Sequence, residues 1–224
     1  ISYSLDDNLE NLTLVGTAVS ATGNALDNIL VGNSADNVLD GGAGNDSIFG
    51  GVGNDTLIGG DGDDTLDGGD GIDTVSYASR TAAVTVDLAA GTASGAGGND
   101  TLANIERVIG GSAADILNGS SLSDTLIGGG GADSIDGREG ADSMAGGTGN
   151  DVYFVDNSGD IVTEAAGAGF DTTYASVDRS LSANVEQLIL TGSAVSGIGN
   201  TLDNTIVGSG LSNWLDGGDG NDSL

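Results

Sequence analysis

The chain has 224 residues, enough for one elongated solenoid or two to three small modules. It carries 34 acidic residues against 4 basic ones (Arg80, Arg107, Arg138 and Arg179), a formal net charge of −30, so its surface repels nucleic acid, anionic lipid and acidic polysaccharide and attracts cations. There is no Cys and no His, which excludes disulfides, imidazole catalysis and imidazole metal ligands, and no apolar run is long enough to cross a membrane.

Residues 1–22 show an alternating apolar pattern, Leu9, Leu12 and Leu14, that suits strands. From Gly23 a nine-residue register sets in, first in the degenerate forms GNALDNILV and GNSADNVLD. Asn28 and Asn37 stand where later repeats carry an acid, and Leu30 and Leu39 hold the inward apolar place. Asn offers a neutral oxygen ligand or caps the turn through its side chain, so these turns are expected to bind metal weakly or not at all.

Gly41–Ser76 then divides into four nines: GGAGNDSIF, GGVGNDTLI, GGDGDDTLD and GGDGIDTVS. Each has Gly at positions one, two and four, Asp at six (Asp46, Asp55, Asp64, Asp73) and an aliphatic residue at eight (Ile48, Leu57, Leu66, Val75). The last three residues, polar–apolar–variable, suit a short strand with one side chain inward. The Gly-rich first six suit a tight turn that needs φ > 0 and close backbone approach. If two nines make one coil, residues eighteen apart stack: Asp46 over Asp64, Asp55 over Asp73, Ile48 on Leu66 and Leu57 on Val75. Carboxylates at the ~4.8 Å strand spacing repel by ~1 kcal/mol in water and ~3–4 kcal/mol at an effective dielectric of 20. A hard divalent cation between them reverses that sign, and Gly-rich turns leave carbonyls free to complete an oxygen shell. A disordered Gly/Asp linker is the competing reading. It does not need an aliphatic residue at every ninth position, and it is the state expected without the cation.

After Ser76 the register breaks. Ala83–Leu88 reads as a strand, and GNDTL follows at Gly98–Leu102. Asn104-Ile105-Glu106-Arg107-Val108 repeats a pattern also present at Asn8–Leu12 and Asn184–Leu188. Its apolar second and fifth positions suggest a buried rung, and its Glu reads first as a charge on the solenoid edge, with a cation ligand as the alternative. A second block spans Gly110–Phe154, with acids Asp115, Asp124, Asp133, Asp142 and Asp151 and inward residues Leu117, Leu126, Ile135, Met144 and Tyr153. Its first two turns lack Gly at position four, and Arg138 stands where Gly is expected at position two; an outward Arg138 paired with Glu139 or a neighbouring acid is the expectation. From Ser180 the opening unit returns at a constant offset of 176 residues, with Asn204 and Asn213 in the places of Asn28 and Asn37 and Asp222 in that of Asp46. Three modules are expected: 1–76, a strand cap with the first block; 77–156, connecting strands with the second; and 157–224, connecting strands with a truncated copy of the first. The chain starts and stops within repeat-like sequence, and we read it as a segment of a longer protein.

The iterated GGxGxDxUx pattern resembles the RTX (repeats-in-toxin) haemolysin-type calcium-binding repeats of secreted bacterial proteins. The resemblance implies an all-β fold, a parallel β-roll (a β-helix or solenoid) with several Ca2+ ions in its Gly/Asp turns. It also implies that stacked turns share each ion through the sixth-position acids and through carbonyls near positions two and four. Those carbonyls correspond here to Gly42, Gly44, Gly51, Gly53, Gly60, Gly62, Gly69 and Gly71 in the first block and Gly129, Gly131, Gly140, Gly147 and Gly149 in the second. Asn37 is kept as a weak member of the set.

Catalysis finds little support. A zinc protease needs His, and a serine or cysteine triad needs His or a Lys substitute, none of which is present. Paired carboxylates are too abundant to single out a glycosidase pair. Trp214, beside inward Leu215, reads as an outward aromatic on a strand face. The expectation is therefore a non-enzymatic, calcium-binding structural segment of a secreted or cell-surface bacterial protein, exported unfolded and folded by external calcium. Its competitor is a binding module, either an alginate-binding repeat of a mannuronan epimerase or an adhesin or surface-layer segment. The expected partners are calcium ions, with no nucleic acid and no membrane insertion, and with surface polysaccharide or self-assembly as further candidates.

Overall fold

The computed structural model describes residues 2–95 and 97–224. Every regular element among them is a β-strand, most of three to six residues. The chain divides into two compact units, Ile1–Ile109 and Gly110–Leu224.

In the first unit, alternate nonads feed two parallel sheets. One contains Val38–Ala43, Thr56–Asp61 and Thr74–Ser76; the other contains Ile29–Val31, Ser47–Val52 and Thr65–Asp70. The register is eighteen residues throughout these coils: Leu39 pairs with Leu57, Leu57 with Val75, Leu30 with Ile48 and Ile48 with Leu66. The expected ladders are therefore the core. Leu30, Leu39, Ile48, Leu57, Leu66 and Val75 are all fully buried. Each such side chain contributes roughly 1.5–3 kcal/mol by leaving water. With one per nine residues the core is thin, and polar groups in the turns must supply much of the remaining order.

The strands run further than the sequence pattern suggests. Val38–Ala43 and Thr56–Asp61 continue through the first three residues of the following nonad, so Gly42 pairs with Gly60 within the ladder. Only positions four to six are left as turn. Close stacking is the reason for the glycines here: a Cβ on Gly60 would lie 1.9 Å from the Gly42 carbonyl oxygen, and one on Gly62 would lie 2.0 Å from that of Gly44.

The break after Ser76 is an excursion from the roll. Val84–Asp87 runs antiparallel to Thr92–Gly95, which runs antiparallel to Gly98–Ala103. Gly98–Ala103 then docks parallel on Thr65–Asp70, pairing Leu102 with Leu66, so the inserted residues leave the coil stacking intact. Arg107–Ile109 continues the other sheet, pairing parallel with Thr74–Ser76.

The second unit repeats the scheme. Ile116–Asn118, Ser134–Asp136, Val152–Val155, Thr172–Ala175, Gln187–Leu190 and Thr205–Val207 form one parallel series, and Thr125–Gly130, Ser143–Thr148 and Ile161–Thr163 a second. A third, Arg179–Ser180, Ser196–Ile198 and Trp214–Asp216, reproduces strands of the first unit at the 176-residue offset. Leu117, Leu126, Ile135, Met144 and Tyr153 form the buried ladders, and Trp214 is exposed as expected.

The Asn-x-Glu segments share a backbone feature. Asn8, Asn104 and Asn184 all have positive φ (67°, 53° and 66°), a conformation in which Asn is the best tolerated residue after Gly. Ile105 and Val108 are buried, as are Val185 and Leu188, but Leu9 is 51 % exposed.

Candidate metal centre

The acids at position six stand in buried columns. Asp46 Oδ1 accepts the Asn28 N–H (2.7 Å), Asp64 Oδ1 the Asp46 N–H (2.8 Å), Asp55 Oδ1 the Asn37 N–H (2.7 Å) and Asp73 Oδ1 the Asp55 N–H (2.7 Å). In the second unit Asp133 takes the Asp115 N–H, Asp142 that of Asp124, Asp151 that of Asp133 and Asp222 that of Asn204, each at 2.8 Å. One carboxylate oxygen thus bonds each turn to the turn eighteen residues earlier.

The second oxygen has no such use. Oδ2 of Asp46, Asp55, Asp64, Asp73, Asp133, Asp142 and Asp151 is buried without a hydrogen-bond partner. Its surroundings are legible from the neighbouring glycine. A Cβ on Gly41 would lie 2.2 Å from Asp46 Oδ2 and 2.5 Å from the Gly59 carbonyl oxygen of the next coil. At Gly128 the corresponding distances are 2.1 Å to Asp133 Oδ2 and 2.7 Å to the Gly146 oxygen. A carboxylate oxygen and a backbone carbonyl oxygen converge on one small space, and the carboxylate oxygen has no donor there. Buried acceptors left so are costly. Burial accordingly pushes the carboxyl groups up: Asp133 to about 7, and Asp46 and Asp142 to about 6, with neighbouring acids adding to the rise and the accepted N–H opposing it. An oxygen-only, anionic donor set of this kind suits a hard divalent cation such as Ca2+, and neither nitrogen nor sulfur ligands are at hand.

The glycines singled out in the sequence, Gly42, Gly44, Gly51, Gly53, Gly60, Gly62, Gly69, Gly71, Gly129, Gly131, Gly140, Gly147 and Gly149, all have positive φ. Within each unit they stand at positions two and four of turns that alternate between the two edges of the roll.

Asp115 and Asp124 differ from the other acids. Asp115 Oδ2 accepts the Gly111 N–H (2.6 Å), and Asp124 Oδ2 accepts both the Ser120 N–H (2.6 Å) and the Ser120 hydroxyl (2.9 Å). These are the turns without Gly at position four, and their carboxylates bond within their own turn.

The Asn turns solve the same problem with amides. Asn28 Oδ1 accepts the Asn24 N–H (2.7 Å), while the Asn24 amide donates to the Leu9 carbonyl (2.7 Å). Asn37 Oδ1 accepts the Asn33 N–H (2.8 Å), while Asn33 and Asn37 both donate to the Ala18 carbonyl (2.8 and 3.3 Å). Asn200 and Asn204 repeat this on Val185, and Ser209 and Asn213 on Ala194. A neutral side chain that carries both donor and acceptor fills the place where an Asp turn has only acceptors.

Several acids outside the nonads prolong the columns, and of these sequence reasoning missed Asp100, Asp160 and Asp171. Asp100 Oδ1 accepts the Asp64 N–H (3.1 Å), and its other oxygen takes the Tyr77 hydroxyl (2.8 Å). Glu106 caps Asp73 (2.9 Å), Asp160 caps Asp142 (3.1 Å), Asp171 caps Asp151 (2.8 Å) and Glu186 caps Asp171 (2.8 Å). The Glu of the Asn-x-Glu pattern is therefore a turn-capping group at Glu106 and Glu186, not a bare edge charge. A signal was present: Asp100, Asp160 and Asp171 each precede by two residues an inward side chain (Leu102, Val162, Thr173), as in a nonad. Arg138, at φ 63°, does not simply point outward: its guanidinium donates to the Gly119 carbonyl (3.0 Å) of the preceding coil, and its N–H donates to Asp136.

Stacked parallel coils with buried acid columns and carbonyl-lined turns define a calcium-binding β-roll. The sequence pattern of the RTX calcium-binding nonapeptide repeat is matched in four copies, at residues 22–57, 44–75, 118–153 and 198–224, which together cover just over half of the chain. The chain belongs to this family, and Ca2+ is its cofactor. No curated protein matches it. Among solved structures, it is similar to the extracellular lipase LipA from Serratia marcescens, with 16% sequence identity and a TM-score of 0.30 over 88% of this chain and 34% of the lipase chain. The chain thus spans about a third of that lipase.

Proposed function

We propose that this calcium-binding structural segment is a folding switch of a secreted or cell-surface bacterial protein. The chain leaves the cell unfolded, where calcium is scarce, and external calcium closes the roll. Any catalytic activity of the parent lies outside these residues. The observation that carries the reading is the set of buried, unpartnered Oδ2 atoms in Asp turns. Without a cation, ionisation of those acids opposes folding; with one, each stacked pair is joined, and binding free energy becomes folding free energy. The ions sit at Asp46, Asp55, Asp64, Asp73, Asp133, Asp142 and Asp151, whereas the turns of Asn28, Asn37, Asn204 and Asn213 stack without metal. Asp115 and Asp124 bind more weakly than these because their second oxygens already have donors.

Circular dichroism tests this directly. At neutral pH the chain should be coil in excess chelator and β-structured in millimolar calcium. Full β-structure in chelator would refute the switch.

A further inference from the structure

The segment between the second block and the duplicated unit brings a third kind of acid into the turns. Ile161–Thr163 stacks on Ser143–Ala145, and continuing that register sets Glu164 over Gly146. In the coils before it the corresponding place is glycine: Gly128 lies over Gly110, and Gly146 over Gly128, each offering its carbonyl oxygen to the acid below. At Gly146 the pattern changes. A Cβ there would meet Asp151 Oδ2 (2.1 Å) and the Tyr153 hydroxyl (2.5 Å). The Tyr153 hydroxyl accepts the Gly146 N–H (2.5 Å) and bonds Glu164 Oε1, which fixes the Glu164 carboxylate over the turn.

Asp171 completes the group by capping the Asp151 N–H through Oδ1 (2.8 Å). One ligating oxygen from each of Asp151, Glu164 and Asp171 can be chosen so that all lie within 4.8 Å of one another. The three residues are 0 %, 8 % and 0 % exposed, and Asp151 Oδ2, Glu164 Oε2 and Asp171 Oδ2 have no hydrogen-bond partner. Three buried carboxylates grouped this closely, each with one oxygen bonded and the other without a partner, call for a cation. Oxygens on opposite sides of a calcium ion are about 4.6–5.2 Å apart, so the trio fits around a single ion.

We propose that Asp151, Glu164 and Asp171 hold one calcium ion at a three-carboxylate site, with Tyr153 as the positioning residue for Glu164. This rests on the reading that the Asp turns bind calcium, and it gives the ion at Asp151 a shell of different make-up from those of the other turns. The nonad turns offer carboxylates and glycine carbonyls, whereas this one adds a side-chain carboxylate from outside the repeat. Affinity for Ca2+ depends on ligand charge count, so this site fills at lower calcium than the turns and anchors the segment that follows the block.

The test compares the full chain with Glu164→Gln, which keeps the shape and the Tyr153 hydrogen bond but removes the charge. Bound calcium is counted by equilibrium dialysis across free calcium concentrations, and terbium emission excited through tyrosine is titrated in parallel. The variant should lose the tightest binding step, with its midpoint raised tenfold or more, and its tyrosine-sensitised emission should fall. Tyr153→Phe keeps all three charges and should retain the ion count with a smaller shift in midpoint. If Glu164 served only as a hydrogen-bond partner of Tyr153, Glu164→Gln would bind the same number of ions at the same midpoint, which overturns the proposal. A terbium anomalous-scattering map of the unaltered chain gives an answer independent of any variant, and a peak bounded by the three carboxylates is the expected result. Ions at the nonad turns with none at the trio would overturn this site and leave the switch standing, whereas a chain that binds no ions would overturn both.

Discussion

Asp46→Asn should strengthen the calcium-free fold and weaken the response to calcium. Asp46 is 1 % exposed, with Oδ1 on the Asn28 N–H, its own N–H on Asp64 Oδ1, and Oδ2 unpartnered. Burial, reinforced by the charges of Asp64, Asp27 and Asp40, raises its carboxyl from the ordinary 3.8 to about 6. A raised acid favours the fold while it is protonated. That contribution is full below pH 3.8, is lost as pH rises to about 6 and stays lost above it. At 1.36 kcal/mol per pH unit the loss is about 3 kcal/mol at neutral pH. Asn cannot ionise, and it is the residue already used one coil earlier at Asn28. Relative to the unaltered chain, the variant should therefore gain nothing at pH 3.5 and about 3 kcal/mol at pH 7 in calcium-free buffer. With calcium the balance changes. A site at 100 to 1,000 times its Kd contributes about 2.7–4.1 kcal/mol, and removing a charged ligand takes away most of that. The assay is osmolyte-induced folding followed by circular dichroism from pH 3.5 to 8, with and without calcium. A calcium-free gain that does not vary with pH would refute the argument from buried charge. An unchanged calcium increment would refute the placement of the ion at Asp46.

Two further substitutions test the stacking. Asp64→Asn and Asp67→Asn remove one charge each from the same nonad, but Asp64 caps Asp46 in the buried column while Asp67 is half-buried and accepts from Asn104. Direct ligation predicts that Asp64→Asn raises the calcium midpoint at least about tenfold more than Asp67→Asn does, with hydrogen-exchange protection lost in 1–109 and kept in 110–224; equal shifts would indicate diffuse screening instead. Gly60→Ala places a Cβ 1.9 Å from the Gly42 oxygen at φ +101°, and should destabilise the calcium-loaded fold by about 3 kcal/mol or more on thermal or urea unfolding. Gly210→Ala, with nothing within 4 Å of its Cβ, should stay within about 0.5 kcal/mol, and equal effects of the two would mean that the turns do not stack this closely.

Much of the molecule was legible in the chain because each nonad states its own geometry. A period of nine with one inward aliphatic residue requires two nonads per coil, and that alone pairs Ile48 with Leu66 and Leu57 with Val75. Gly at positions two and four marks the turns, and Asp at position six marks the edge on which acids accumulate. Tertiary structure decided what each acid does with its second oxygen. Asp115 and Asp133 both stand at position six, and the missing Gly at position four of the Asp115 turn did not by itself say that Asp115 bonds the Gly111 N–H while Oδ2 of Asp133 is left without a donor. Asn28 and Asn37 read as weak ligands or as turn caps, and the fold shows the capping: their oxygens accept turn N–H groups while preceding-coil carbonyls accept from the Asn amides of the same turns. The partners of the remaining acids lay beyond local reading because they are brought in by interruptions of the repeat. The excursion at 77–100 returns Asp100 above Asp64, 36 residues along the chain, and the segment after Val155 brings Glu164 and Asp171 over Asp151. A local pattern shows which residue faces the turn edge, but which charge lies above it depends on how many residues the chain spends before it comes round again.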